Sequence, residues 1–301
     1  MRRDGLRACV LLNARAGTAA RDALDPESLR RKLAEAGAEM DVEAVASEAL
    51  AERARRAAED GLPMVVAAGG DGTISAVAAA LAGTPTVLGV LPLGTRNHFA
   101  RDLGIPSDLS QAIQVIAAGH TRAVDVGDVN GRIFANNASI GLYPDIVENR
   151  DQHRRDGWTK NLATVWAGLH ALRRFRVMRV RLGAEGGSDL HTTPFVFVGN
   201  NEYTMSLFAL GQRVCLDKGT LSVYTANVHR PLAFLRMVFF VLVGRLDQAR
   251  DFEQRCVPEA WLHSRWRRLR VALDGEVVTL APPLHFRVRP GALRVVVPET
   301  P

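Results

Sequence analysis

Apolar and polar positions alternate in two tempos over the first 120 residues. Short apolar runs at Leu6–Asn13, Asp41–Ala46, Pro63–Ala68 and Thr86–Leu91 have strand length and sit between stretches with helical spacing. Asp25-Pro26-Glu27 places a cap and then proline at the start of one helix, and Gly37 closes it. Ser47 is positioned to cap a second helix that runs to Asp60 before Gly61, and Ile74–Leu81 has the spacing of a third. This β-α-β-α rhythm predicts a parallel sheet with ligands at the carboxyl ends of its strands. Asn13, the loop Gly69–Thr73 and the segment Pro92–Thr95 all fall at such ends.

From Ala123 the texture changes. Ala123–Val129 and Ile133–Ala138 flank Asn130-Gly131, a hairpin signal. One helical stretch, Trp158–Phe175, precedes a series of short β-rich runs: Val177–Leu182, Phe195–Val198, Leu221–Tyr224, Leu269–Leu273, Val277–Leu280, Phe286–Val288 and Leu293–Val297. Asp274-Gly275 joins two of them as a second tight hairpin. The pattern predicts an α/β plus all-β chain: a Rossmann-like α/β domain over 1–125 and an antiparallel β-sandwich or barrel-like domain over 126–301. The apolar stretch Leu232–Val243 contains Arg236 and is far shorter than the roughly 20 residues of a membrane span. It reads as a buried or half-buried helix, with insertion into a membrane surface as the alternative.

The most informative string is Gly69-Gly70-Asp71-Gly72-Thr73, set between a strand and a helix. Glycines let backbone approach an anion, and the N–H groups of a helix start point at it. An aspartate amid such a site repels phosphate unless a cation intervenes, so Asp71 implies magnesium or a hydroxyl to be oriented. The combination points to a nucleotide-using kinase, although the string is neither a Walker A loop nor a dinucleotide fingerprint. Pro92-Leu93-Gly94-Thr95-Arg96-Asn97 offers further N–H groups, the Thr95 hydroxyl and the Asn97 amide at the next strand end; alone it would read as a helix cap. Asn13-Ala14-Arg15-Ala16-Gly17 adds an amide and a cation at the same edge. Asp274-Gly275-Glu276 alone is only a tight turn followed by a strand, yet a kinase acting on a neutral hydroxyl needs a carboxylate to accept the proton.

Charge and cysteine content narrow the setting. The balance is +6 with an isoelectric point near 9.8, which favours anionic partners without choosing among them. Arg173-Arg174-Phe175-Arg176 and Arg265-Trp266-Arg267-Arg268 read as solvated faces, with anionic lipid headgroups as the next option. No nucleic-acid-binding motif accompanies them. Cys9, Cys215 and Cys256 are widely spaced and read as reduced, buried thiols of a cytosolic protein. The 8 histidines show no zinc-site spacing.

Taken together, NxxxG after the first strand, GGDGT, PLGTxN and a late DGE resemble the bacterial diacylglycerol-kinase-like lipid kinases. These share their catalytic architecture with sphingosine kinases and, more remotely, with NAD kinases and phosphofructokinases. The likeness covers nearly the whole chain, including Val124–Gly131, Phe134-Ala135-Asn136 with Gly141, and Leu216–Leu221. It implies ATP and Mg2+ as cofactors, with ATP in a cleft between the two domains. It places the nucleotide loop on Gly69, Gly70, Asp71, Gly72, Thr73, Ile74 and Ser75, a second phosphate contact on Thr95, and Asn13 in a nucleotide-facing loop, with Ser47 a further polar candidate. It places the general base on Glu276. Asp71 and Glu276 are thus the expected catalytic residues, with Asp71 also the metal ligand and Asn97 beside the nucleotide.

Four stretches depart from the family pattern. Ile74-Ser75-Ala76 lacks the usual glutamate, and His98 stands where many members carry aspartate. Asp217-Lys218-Gly219 replaces a DDG-type turn; an ammonium at Lys218 can neutralise that accessory site, so no ion is expected there. Asn201-Glu202-Tyr203 replaces a glycine-rich stretch, a change that bears on the substrate pocket more than on the ATP site. The resulting expectation is an ATP-dependent lipid kinase of phospholipid metabolism acting on a hydroxyl such as that of diacylglycerol. It would be cytoplasmic and peripheral on the inner membrane surface, with its lipid substrate at that surface, no nucleic-acid partner, and a homodimer as a candidate assembly. The competing readings are an NAD kinase-like enzyme with a soluble substrate and a non-catalytic nucleotide- or lipid-binding regulator.

Overall fold

The computed structural model describes residues 8–13, 24–141, 177–184, 187–204, 212–213, 215–226 and 252–299. Strand β1 (Ala8–Leu12) is buried along its whole length, as a strand covered on both faces must be. Helix α1 (Pro26–Glu35) begins where the sequence requires: the Asp25 carboxylate accepts the Ser28 N–H at 2.8 Å, and Gly37 leaves the helix at φ +78°. After β2 (Asp41–Ala44), Ser47 opens a single 3₁₀ turn, Ser47–Ala49, that leads into α2 (Leu50–Glu59), and no side chain caps either one. The expected Ser47 cap is therefore not made. Strand β3 (Met64–Gly69), α3 (Asp71–Leu81), β4 (Val87–Pro92), α4 (His98–Asp102) and α5 (Leu109–Ala118) continue the alternation. Helix α3 starts at Asp71, so the glycine string runs from the last residue of β3, Gly69, through the extended Gly70 into the first helical turn, with no free loop between. The strands pair in parallel in the order β2-β1-β3-β4.

Strands β5 (Thr121–Val129) and β6 (Arg132–Phe134) form the first predicted hairpin, with φ +50° at Asn130 and +83° at Gly131. The predicted strand Ile133–Ala138 is in fact two. Chain direction changes at 135–136, and β7 (Asn137–Gly141) pairs with a different sheet. The second domain continues as β8 (Met178–Ala184), β9 (Gly187–Thr193), β10 (Phe195–Asn200), β11 (Tyr203–Thr204), β12 (Gln212–Arg213), β13 (Leu221–Ala226) and β14 (Phe252–Val257). Then come β15 (Glu259–Ser264), β16 (Leu269–Leu273), β17 (Glu276–Leu280) and β18 (Leu284–Val296). The runs Phe286–Val288 and Leu293–Val297 belong to this single long strand. Pro290 and Gly291 interrupt the apolar pattern without ending it, and the Gly291 N–H is held by Asp125 Oδ1 at 2.8 Å.

Contacts divide the described chain into two units. The first holds residues up to Val126, Leu216–Lys218 and the chain from Arg289; the second holds Gly127–Cys215 and Gly219–Val288. Within the first, Val295 pairs in parallel with Leu88 and extends the sheet. Within the second, the strand run β18-β15-β8-β9 and the sheet β14-β13-β10-β7-β16-β17 are antiparallel. Their inner faces supply one core that includes Phe134, Ile140, Val180, Val198, Leu262 and Phe286. This is a sandwich by the alternation rule: inward residues are apolar and their sequence neighbours point out.

The expected helices at Trp158–Phe175 and Leu232–Val243, the Arg173–Arg176 cluster and residues 14–17 lie outside the described residues. Among the described residues, no helix is long and apolar enough to cross a membrane. The thiols are free; Cys9 is buried, but Cys215 is only half-buried and Cys256 is exposed on β14, so burial was the wrong expectation for the last.

Candidate active site

The first unit gathers its motifs at the carboxyl ends of β1, β3 and β4. Asn13 follows β1 and is 8% exposed. Its amide donates to Thr73 Oγ1 at 3.0 Å and to Ser47 Oγ at 3.1 Å, while its backbone N–H reaches Ala68 O at 3.0 Å. One side chain thus ties three segments of the sheet edge together. Ile74 is wholly buried, so its side chain belongs to the core. The Ser75 hydroxyl is buried without a hydrogen-bond partner.

Two glycine turns lie back to back. A Cβ on Gly94 would stand 2.7 Å from the Gly70 Cα and 2.5 Å from Asn97 Oδ1, and one on Gly69 would run into the Thr73 side chain. Glycine is therefore needed at these positions by packing alone. Gly72 differs: it is exposed, and a Cβ there would meet nothing within 4 Å. The fold gives no reason for glycine at that position.

Asn97 closes the second turn on itself. Its residue is left-handed (φ +48°), its Oδ1 accepts the Gly94 N–H at 3.0 Å, and its Nδ2 donates to Gly94 O at 2.9 Å. Those bonds occupy the amide that sequence reading assigned to the nucleotide. Thr95 is exposed beside it. The half-buried Asp71 accepts the His98 N–H on Oδ1 at 2.6 Å, so it caps α4 from the neighbouring strand end and locks the two turns to each other. No side chain caps α3, whose first amides, Asp71 to Thr73, precede the first intrahelical bond from Ile74 N–H to Gly70 O. Partial positive charge therefore collects at Gly70–Thr73.

Burial pushes the His98 imidazole below its ordinary range; the Asp71 charge works against this, and Arg101 and Arg96 reinforce it. His98 stands where the resemblance leads one to expect a carboxylate, and an imidazole there adds no negative charge to this edge. Among the described residues, no group of three or more His, Cys, Asp or Glu side chains could hold a metal ion. In the departure at Asp217-Lys218-Gly219, the Arg122 guanidinium takes the Asp217 carboxylate at 2.5 Å. The expectation had assigned that cationic task to Lys218.

In the second unit, Asp274 (φ +49°) and Gly275 (φ +94°) make the tight turn that presents Glu276, exposed at the start of β17. Sequence reading missed the work of Asp274. Its carboxylate accepts three backbone N–H groups, from Ala135 at 2.7 Å, Asn136 at 2.8 Å and Asn137 at 2.9 Å. This is what turns the chain between β6 and β7. The Ala135 and Asn136 backbone carbonyls are held in turn by Asn200, Arg213 and Tyr203. A glycine after aspartate masked that role, because the pair already explains a hairpin.

Residues 7–129 match the diacylglycerol kinase catalytic domain. Residues 139–297 match the YegS C-terminal NAD kinase beta sandwich-like domain. A Pseudomonas syringae pv. tomato protein named "Probable lipid kinase YegS-like" is 33% identical over 239 residues, covering 78% of this chain and 75% of that protein. A Staphylococcus epidermidis diacylglycerol kinase is 48% identical over 90 residues, 29% of this chain and 28% of its own. The crystal structure of a diacylglycerol kinase from Bacillus anthracis str. Sterne superimposes with a TM-score of 0.69 at 18% identity, covering 99% of each chain, and shows the shared fold. Fold and site motifs together define a kinase. The chain belongs to the YegS-like and diacylglycerol kinase family of lipid kinases.

Proposed function

We propose that the chain transfers the γ-phosphoryl group of ATP to the hydroxyl of a membrane lipid of the diacylglycerol type. The observation that carries this reading is the uncapped start of α3 behind an open Gly72, braced by the second glycine turn at Gly94. Orphan amides, a dipole end and a glycine with no packing duty fit an anionic ligand. Thr95, exposed on the adjoining turn, supplies a hydroxyl to the same phosphates. Asn13, Thr73 and Asn97 hold the shape of the cradle, and their polar groups are spent largely on the protein itself.

Magnesium fits this site only in company with phosphate. Asp71 is the carboxylate on the glycine turn itself, with Oδ1 committed to His98, and Mg2+ is commonly held by one or two carboxylates plus phosphate oxygens. Bound there, it would neutralise phosphate charge. The lipid oxygen attacks the γ-phosphorus, the bond to the bridging oxygen breaks, and ADP leaves with the electron pair. Glu276 accepts the hydroxyl proton, a role worth about 10²–10⁴-fold in rate. An exposed carboxylate on a turn fixed by three backbone bonds suits that task. The site lies with a peripheral cytoplasmic enzyme on this reading.

The test is turnover of diacylglycerol by Glu276→Gln and Asp71→Asn beside the parent chain. Loss in both, with folding intact, supports the roles; unchanged turnover in either contradicts the role of that residue.

A further inference from the structure

The outward face of the strands β8, β9 and β15 carries an unusual population. Strand register places Arg181 opposite both Leu190 and His263, and Arg179 opposite Thr192, so these side chains share one side of the sheet. The alternating residues Val180, Leu182 and Leu262 are buried in the sandwich core. Beyond β15 the chain continues through exposed Arg265, Trp266, Arg267 and Arg268. Two adjoining cavities, about 670 and 340 Å³, share Arg179, Ser264 and Arg265 in their walls; Trp266 and Val177 line the larger, Leu190 and His263 the smaller.

Two observations set this face apart. Among the described residues, the large hydrophobic side chains that are exposed are Val177, Leu190, Trp261 and Trp266, and all belong to this face or its rim; Leu190 is 67% exposed. The five arginines 179, 181, 265, 267 and 268 join no ion pair among the described residues, whereas Arg255 and Arg287 elsewhere on the unit hold Asp189 and Asp128. A cluster of like charges repels itself and draws anionic partners, and exposed apolar side chains gathered on one face mark an interaction surface. Together they match a surface that is anionic outside and apolar just beneath.

We propose that this face docks on an anionic phospholipid bilayer, with the arginines on headgroup phosphates and Trp266, Leu190 and Val177 at the boundary with the acyl chains. A second copy of the chain fits less well, because a two-fold contact here would oppose arginine to arginine. Single-stranded nucleic acid fits less well too. Among the exposed tryptophan rings of this face only Trp266 is open to a base, since the Trp261 ring is already stacked on His285, with centroids 3.7 Å apart and planes at 4°, and the other exposed apolar side chains, Leu190 and Val177, are aliphatic. The proposal rests on the lipid-kinase reading for its biological partner, while the binding can be measured without catalysis.

The experiment is co-sedimentation of the full chain with vesicles of mixed phosphatidylglycerol and phosphatidylcholine, against phosphatidylcholine alone. The parent chain should bind the mixed vesicles, lose binding as salt rises, and shift its tryptophan emission to the blue; Trp266→Phe should remove much of that shift. R179Q/R181Q on the strand and R265Q/R268Q in the connection should each weaken partitioning roughly 30-fold, about fivefold per arginine. R55Q/R56Q, which removes the same charge from α2, should stay close to the parent. Circular dichroism checks that each variant folds; the connection variant carries the test if the strand variant does not. Binding that both arginine pairs leave unchanged overturns the proposal. So does equal binding to neutral vesicles, displacement by a single-stranded oligonucleotide, or a dimer whose formation buries Trp266. Turnover of a short-chain, monomeric diacylglycerol reads the other proposal separately: vesicle binding without any turnover sinks the kinase substrate and leaves the docking face standing.

Discussion

At the residue scale, several polar side chains in the motifs serve the protein's own backbone before they serve a ligand. Asp71 is the sharpest case, because it caps α4 through the His98 N–H. An asparagine can still accept that bond through its amide oxygen but carries no charge. Asp71→Asn should therefore keep its melting temperature and lose phosphoryl transfer, whereas Asp71→Ala should lose both, with about 1 kcal/mol of stability gone with the cap. Thermal denaturation run beside an activity assay separates the two. His98 adds a pH signature. Its folded-state pKa lies below the unfolded one because burial disfavours the cation. Its contribution to stability is then whole above the ordinary histidine range and is lost as pH falls through that range. His98→Gln should flatten the acid limb of a stability–pH curve; a limb of unchanged steepness would show that other groups cause it.

At the element scale, the glycine turns behave as a matched pair. Gly94→Ala forces a methyl against Gly70 and the Asn97 amide, an overpacking that should cost about 1–3 kcal/mol in chemical denaturation and raise the KM for ATP. Gly72→Ala meets empty space inside a helix, so stability should hold or rise by up to about 1 kcal/mol while ATP binding weakens. If ATP binding is indifferent to that methyl, the phosphate does not approach Gly72. The parallel strands, the capped α1 and both tight hairpins were legible because each rests on local chemistry: apolar runs, a cap with proline, and Asn-Gly or Asp-Gly. What was not legible depends on distant partners. Nothing near Ala135 announces that Asp274 will seize its N–H and split one strand into two. The polar stretch Gly187–Thr193 forms β9 only because β8 pairs with it. Arg289-Pro290-Gly291 resembles a break, yet Asp125 holds Gly291 in line. The site motifs were readable as strings, but the inward commitment of Asn13 and Asn97 was not, since side-chain direction is set by tertiary contacts.

At the scale of the whole molecule, each unit brings one kind of chemistry. The parallel unit has amides, glycines and one carboxylate suited to nucleotide phosphates. The sandwich unit has an anchored turn bearing Glu276 and an arginine-rich outer face. Asp274→Asn exchanges an acceptor for a donor opposite backbone N–H groups and should destabilise the second unit by about 1–3 kcal/mol, measured by its denaturation midpoint. The central claim is that this family member phosphorylates a lipid hydroxyl with ATP. Incubation with γ-labelled ATP, magnesium and a bacterial lipid extract, followed by extraction and identification of the product, tests it most directly. Labelled phosphate should appear on a diacylglycerol-type lipid, absent without magnesium and reduced about 10²–10⁴-fold in Glu276→Gln. Label appearing on NAD with none in the lipid phase, or magnesium-dependent ATP binding with no transfer to any lipid, would contradict it.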